Sequence, residues 1–366
     1  MIPSVPSLRS SWSPVLLVAA ALAACGDADR PEEGIPTFSS LEEALHLVDS
    51  IHLEEVPGDT IAQIGVVDIL PDGKILLGDR YLPRVRLYDP SGRFLAGQGR
   101  FGEYQRIQGV AADSEGRVFV EGFRAGHGTL LTPMLEPDTT LGLPGGSFGS
   151  EYVARFRKGV VRSGLWQEGT WLHFRDADGS EPWRIPAGPE QIWQVPYWSS
   201  VTRFHAVEVG DSLLVANSLL YPVRIYDGEG RLVGEMGEPP PSFRPAPELE
   251  PGAFAFTEGG GAGMGNRLRD WLDSFTVVTG LHVVEGDWLV VVHGIIGSDP
   301  PMPPFRTSDR SIDVYDLRSG RKVVEDVPLP LEARVLGGGP FLHVLVAEPP
   351  EPWTIARFRV PKERAR

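Results

Sequence analysis

The chain has 366 residues, 42% hydrophobic and 23% charged, a composition that can bury a core and is too apolar for a disordered chain. Gly (43) and Pro (34) make up about a fifth of it, which excludes a fold of long helices because both residues break helices and punctuate turns. One cysteine excludes a disulfide framework and a multi-cysteine zinc site, and a net charge of −15 excludes a nucleic-acid partner, whose phosphates demand basic clusters.

The first element is an apolar run from Val15 to Ala24 behind Arg9. At roughly 15 Å of helix it reaches about half a bilayer core, so it reads as the h-region of a signal peptide over residues 1–24 and not as a spanning helix. The run ends in Leu22-Ala23-Ala24-Cys25, which resembles the lipobox of bacterial lipoproteins. That resemblance implies cleavage before Cys25 and lipidation of it, with the membrane as a partner through the acyl chains. An ordinary cleaved signal with an incidental Cys25 is the competing reading. Residues 25–50 then form a lipidated tether, acidic and rich in Pro and Gly, ending in a short helical turn around Leu41 with Ser39 or Ser40 as N-cap. Gly26 stands where enteric lipoproteins carry an inner-membrane retention Asp, so the resemblance favours the outer membrane or a periplasmic face within the cell envelope. Loss of Arg9 with the signal changes the charge from −15 to −16.

From residue 51 to 362 the chain reads as short strands between Asp/Gly turns. Pro71-Asp72-Gly73 precedes Lys74–Asp79, Arg84–Asp89 closes in Tyr-Asp, and Ser91-Gly92 opens the next run, which is repeated hairpin grammar. Gly210–Asn217 with Val223–Asp227, and Gly286–His293 with Ile312–Asp316, repeat the phrase, and Asp113–Val120 gives part of it. Weaker copies surround Gly169–Phe174 and Pro340–Val346. Markers at Gly73, Gly116, Gly169, Gly210, Gly286 and Gly339 fall about 40 to 50 residues apart, except for one long gap, which predicts six four-stranded blades. Ile51–Val56 is predicted to be the outer strand of the sixth blade, joining the ends of the ring.

Pro71–Asp89 with Ser91-Gly92, Gly102-Glu103-Tyr104 and Gly109–Asp113 resembles NHL-repeat six-bladed β-propellers, many of them bacterial lipoproteins. The resemblance covers blade one well, blades two, four and five partly, and blades three and six by spacing. It implies an all-β propeller scaffold and no particular chemistry, since such propellers include binders, lyases and lactonases.

In a propeller the tight turns share one face and the longer connections share the other. Two insertions, about 238–275 and 294–310, fall on the second face and predict a loop-rich binding surface for a protein, peptide or glycan. The second strands end on that face in Asp79, Glu121, Asp176, Asn217, His293 and Glu348, and His205 and His282 are placed at the starts of inner strands. Asp79, Glu121, Asn217, His205, His282 and His293 are therefore the candidate axial site for a polar ligand or, in the alternative reading, for a divalent cation such as calcium serving a lactonase-like hydrolase or lyase. The plainer reading, which the resemblance to NHL-like propellers implies, is that the acidic residues at the ends of the second strands make loop hydrogen bonds and that the strand-edge histidines are simply satisfied, with no cofactor and no catalytic residue assigned. Gly145–Gly149 spells a nucleophile-elbow pattern without the α/β context that chemistry needs. Gly259–Gly265 lacks the ending of a phosphate loop. Trp166, Trp171, Trp183, Trp193 and Trp198 are read as blade packing in preference to a sugar platform.

Overall fold

A computed structural model gives the fold; it describes residue 35 and residues 38–99, 107–122, 127–142, 153–163, 170–176, 180–186, 204–247, 270–296 and 307–362. The signal segment, Cys25, the glycine motifs at 145–149 and 259–265, Trp166, Trp193 and Trp198 lie outside the described residues.

A one-turn helix, α1 (Leu41–Ala44), leads in, capped as predicted by Ser40, whose Oγ accepts from the Glu43 amide, while Glu43 reaches back to the Ser39 amide. Its Leu41 and Ala44 are buried against blades five and six. Then β1 (His46–His52) runs away from the ring's first blade and joins its last. Blade one is β2 (Ile64–Ile69), β3 (Ile75–Asp79), β4 (Val85–Tyr88) and β5 (Phe94–Gln98). Blade two is β6 (Ile107–Ala112), β7 (Val118–Gly122), β8 (His127–Leu131) and β9 (Pro137–Gly142). Blade three is β10 (Val153–Phe156), β11 (Gly159–Ser163), β12 (Thr170–Arg175) and β13 (Trp183–Pro186). Blade four is β14 (Phe204–Val209), β15 (Ser212–Asn217), β16 (Leu220–Tyr226) and β17 (Leu232–Met236). Blade five is β18 (Thr276–Val284), β19 (Trp288–Ile296), β20 (Thr307–Asp316) and β21 (Lys322–Pro328). Blade six takes β22 (Arg334–Gly337), β23 (Leu342–Ala347) and β24 (Thr354–Arg359), with β1 antiparallel outside β24.

The molecule is thus an all-β six-bladed propeller of four-stranded antiparallel blades, closed by its N-terminal strand. The closing strand lies earlier than Ile51–Val56. Residues His46–Ser50 are exposed, so no apolar pattern marks them; they are held by ladder hydrogen bonds from His46↔Arg359 to His52↔Thr354 and by Asp49 pairing with Arg357.

Each blade buries both faces, one against each neighbour. This is why Ile75, Leu76 and Leu77 are all fully buried in consecutive positions instead of alternating: Leu76 packs toward blade two, with Ile107 and Val110, and Ile75 and Leu77 pack toward blade six, with Leu345 and Ile355. The seam between blades two and three is narrow, with Ala111, Phe119, Val153 and Val160 as its buried cluster. Glycines admit the neighbour where strands crowd the axis. A Cβ on Gly337 would stand 2.4 Å from Ile69 Cγ1.

The repeated Asp-x-x-Gly-Arg phrase has a local cause. Asp89 Oδ1 accepts from the Ser91 and Arg93 amides, Asp113 Oδ1 from Glu115 and Arg117, and Asp227 Oδ1 from Glu229 and Arg231, each turn closing on a glycine with positive φ. Blade three departs from this grammar. Its first turn is Arg157-Lys158, with Arg157 at φ 53, and Gly169 precedes the third strand, β12, instead of marking the first turn. Arg157 holds the left-handed conformation because its amide donates to Glu208 Oε1 at 2.8 Å and its guanidinium lies 5.4 Å from the Phe156 ring centre.

Candidate ligand site

The inner strands β2, β6, β10, β14, β18 and β22 surround an axial cavity of about 740 Å³. Its walls are mainly Val, Ile and Gly, because the strands approach one another there and leave little room for long side chains. The polar groups gather at its two ends.

At the tight-turn end, charges are tied between blades. Asp68 accepts from the Ala112 amide at 2.9 Å, and burial raises its carboxyl above the ordinary range despite that amide and nearby Arg155. Arg155 Nε meets Glu208 Oε2 at 3.3 Å, and Glu285 pairs with Arg359 at 3.1 Å. Blades five and six are joined directly: Gly339 N donates to Val283 O at 2.7 Å and Glu285 N to Gly339 O at 2.8 Å. His343, 1% exposed, points Nδ1 at the carbonyls of Gly338 and Phe341, so Nδ1 carries the proton, and burial lowers its pKa to about 4.

At the loop-rich end the lining includes Arg80, directly after β3, Gln108, His205, Ser218, Arg310 in β20 and Arg334 at the start of β22. Arg334 Nη2 donates to Ile64 O at 2.8 Å and Arg310 Nη2 to Leu331 O at 2.7 Å. Burial, with repulsion from Arg80 and Arg310, brings Arg334 down to about 10 despite Glu348. Burial also lowers Arg310, against Glu332.

The six residues singled out in the sequence do not form one constellation. Asp79 is fully buried and accepts from the amides of Ala62, Tyr81 and Leu82, with Arg86 Nη1 at 3.4 Å. Glu121 faces Arg162 of blade three at 3.7 Å. Asn217 Oδ1 accepts from the Leu219 amide at 2.9 Å and shapes the turn into β16. His293 Nε2 lies 3.4 Å from Asp313 Oδ2, beside Tyr221, which donates to the same carboxylate. Burial, then the Asp313 charge, pushes the Tyr221 hydroxyl above its ordinary range, so it stays a donor. Asp79 and Asn217 thus accept loop hydrogen bonds within their own blades, whereas Glu121 and His293 stand beside a charged group, across a seam or within the blade. Among the described residues no three His, Cys, Asp or Glu side chains are grouped to hold a metal.

Two placements need correction. His205 does open its inner strand, opposite Ala216, but His282 lies opposite Val290, two residues before the strand ends, so the two line opposite ends of the cavity. The cause is the extra length of β18, which a bulge between Val278 and Gly280 accommodates. Asp176 follows the third strand of blade three, where its amide donates to Ser180 O, and so belongs to the other face. The shift follows from the displaced Gly169 marker. The second insertion is partly ladder: β19 and β20 continue to Ile296↔Thr307. Trp183 stacks on Phe174 and donates to Gly228 O of blade four at 3.1 Å, a packing role. Arg80, Arg310 and Arg334 were not singled out in the sequence; the available signal was cations beside apolar strands in an acidic chain.

No protein-family model matches the sequence, and no curated protein matches it either. Among solved structures, a candidate exported protein of Bacteroides fragilis has a TM-score of 0.60 at 11% identity, covering 88% of this chain and 97% of its own. A DUF4221-family member from Bacteroides vulgatus has 0.60 at 12% identity, covering 86% and 97%. A streptogramin B lyase structure falls to 0.48 at 11% identity over 82% and 80%, too distant to bear on chemistry. At these identities the likeness is one of fold: this chain shares the six-bladed propeller with both Bacteroides proteins.

Proposed function

We propose that the protein is a bacterial envelope lipoprotein, anchored through Cys25, whose propeller binds a protein, peptide or glycan at its loop-rich end without catalysing a reaction. The observation that carries the binding reading is the axial cavity of about 740 Å³, whose loop-rich end keeps polar side chains directed to a ligand-sized space. Two of the side chains that a hydrolase or lyase reading would use, Asp79 and Asn217, accept hydrogen bonds from the amides of their own loops. The lipobox-like Leu22–Cys25 and the NHL-like wording of blade one support the anchored scaffold. The exported character in the name of the Bacteroides fragilis neighbour accords with it.

Cys25→Ser tests the anchor: the protein leaves the membrane fraction and loses incorporated palmitate. Retention of both in the variant refutes lipidation. Capture from envelope extract by the intact chain, compared with a chain lacking residues 238–275, tests the loop-rich end. Recovery of the same ligand in the same amount by both chains overturns that assignment.

A further inference from the structure

We propose that the loop-rich mouth of the axial cavity is an oxyanion site, in which Arg80, Arg310 and Arg334 hold a carboxylate, sulfate or phosphate group of the ligand. The three arginines come from the connection after β3, from β20 and from β22, so separate blades deliver them to one cavity. A chain of net charge −15 has carboxylates to spare, yet neither Arg310 nor Arg334 forms an ion pair among the described residues. Arg86, Arg117, Arg155 and Arg357 all do. Glu332 and Glu348 are felt electrostatically by Arg310 and Arg334 without reaching ion-pair distance.

One backbone carbonyl orients each guanidinium, Ile64 O for Arg334 and Leu331 O for Arg310, and among the described residues neither makes a further side-chain hydrogen bond. Arg334 Nε is buried with no hydrogen-bond partner among the described residues, a cost that an anion at the mouth removes. Placing like charges together is unfavourable in the empty protein, and one bound oxyanion reverses the sign of that interaction. The apolar walls below, including Val66, Val110 and Val153, suit the organic part of a ligand, which favours an organic acid over a bare ion.

The inference deepens the proposed binding role and rests on the loop-rich end being the ligand side. The experiment is calorimetric titration of the detergent-solubilised full chain with D-glucuronate, sulfate and inorganic phosphate, with D-glucose as the uncharged control. At least one oxyanion binds with one-to-one stoichiometry, and its affinity falls at least about tenfold in Arg310→Gln and Arg334→Gln, less in Arg334→Lys. A glucuronate preference identifies an organic acid; a phosphate or sulfate preference identifies those groups. The proposal is overturned if no oxyanion binds better than glucose, or if Arg310→Gln, at a half-buried position that leaves the core intact, binds as the parent does. A chain lacking residues 238–275 that loses envelope capture but still titrates the oxyanion separates failure of the loop assignment from failure of the anion site.

Discussion

The two ends of the axial cavity are made by the same six inner strands, yet they treat charge in opposite ways. At the tight-turn end, carboxylates and cations from different blades satisfy one another: Glu208 takes both Arg155 and the Arg157 amide, and Glu285 takes Arg359. At the loop-rich end, Arg310 and Arg334 are steered by single carbonyls and have no ion-pair partner among the described residues. A ring of blades needs closure at one end to keep its register. Among the described residues the other end leaves hydrogen-bonding capacity unspent, as at Arg334 Nε, and the proposed oxyanion is what would use it.

Perturbing the tight-turn end is therefore expected to cost stability, and perturbing the mouth is not. The largest effect is expected from Gly338→Ala, whose Cβ would meet Val283 O at 2.0 Å and force blades five and six apart. We expect a loss of about 4 kcal/mol, read by urea unfolding. A loss under about 1 kcal/mol means that the bridge is not needed for closure.

Next comes pH. His343 has a folded pKa of about 4, below its unfolded value of about 6.5. Above pH 6.5 both states are neutral there; between 6.5 and 4 the unfolded state binds the proton and the folded state does not, so stability falls as pH drops. Below 4 both are protonated and the loss is complete, at about 3 kcal/mol. His282, also lowered to about 4 by burial, contributes in the same direction. Unfolding followed across this window in the parent and His343→Gln shows a shallower slope in the variant; parallel slopes remove His343 from the account.

A smaller change is expected for Glu208→Gln, about 1 kcal/mol, because the pair it breaks is partly exposed, at 24% and 21% for Arg155 and Glu208. The smallest belongs to the mouth: Arg310→Gln alters ligand-free stability by no more than about 0.5 kcal/mol. A larger loss there than in Glu208→Gln would invert the comparison.

Much of the scaffold is legible in the sequence, and the reason is local. Asp89, Asp113 and Asp227 each tie two amides of their own turn, so the phrase that repeats is the phrase that builds the turn. Blade three is out of frame in the sequence pattern because Arg157 does a glycine's work with support from Glu208, a residue of another blade that no local window contains. The site was less legible for a related reason. Asp79, Asn217 and His293 drew attention as polar ends of apolar strands, and they are polar because loops and seams need them. Arg80 and Arg334 lie at opposite ends of the sequence and come together only when β1 closes the ring onto β24; neither has a neighbour in sequence that announces a role.

The most direct test of the claim that the loop-rich mouth meets the ligand is to compare capture from envelope extract by three full-length chains: the parent, Glu208→Gln, and the double variant Arg310→Gln/Arg334→Gln. Equal recovery is expected for the parent and Glu208→Gln, with loss in the double variant. Equal recovery by all three, or loss only in Glu208→Gln, would contradict it.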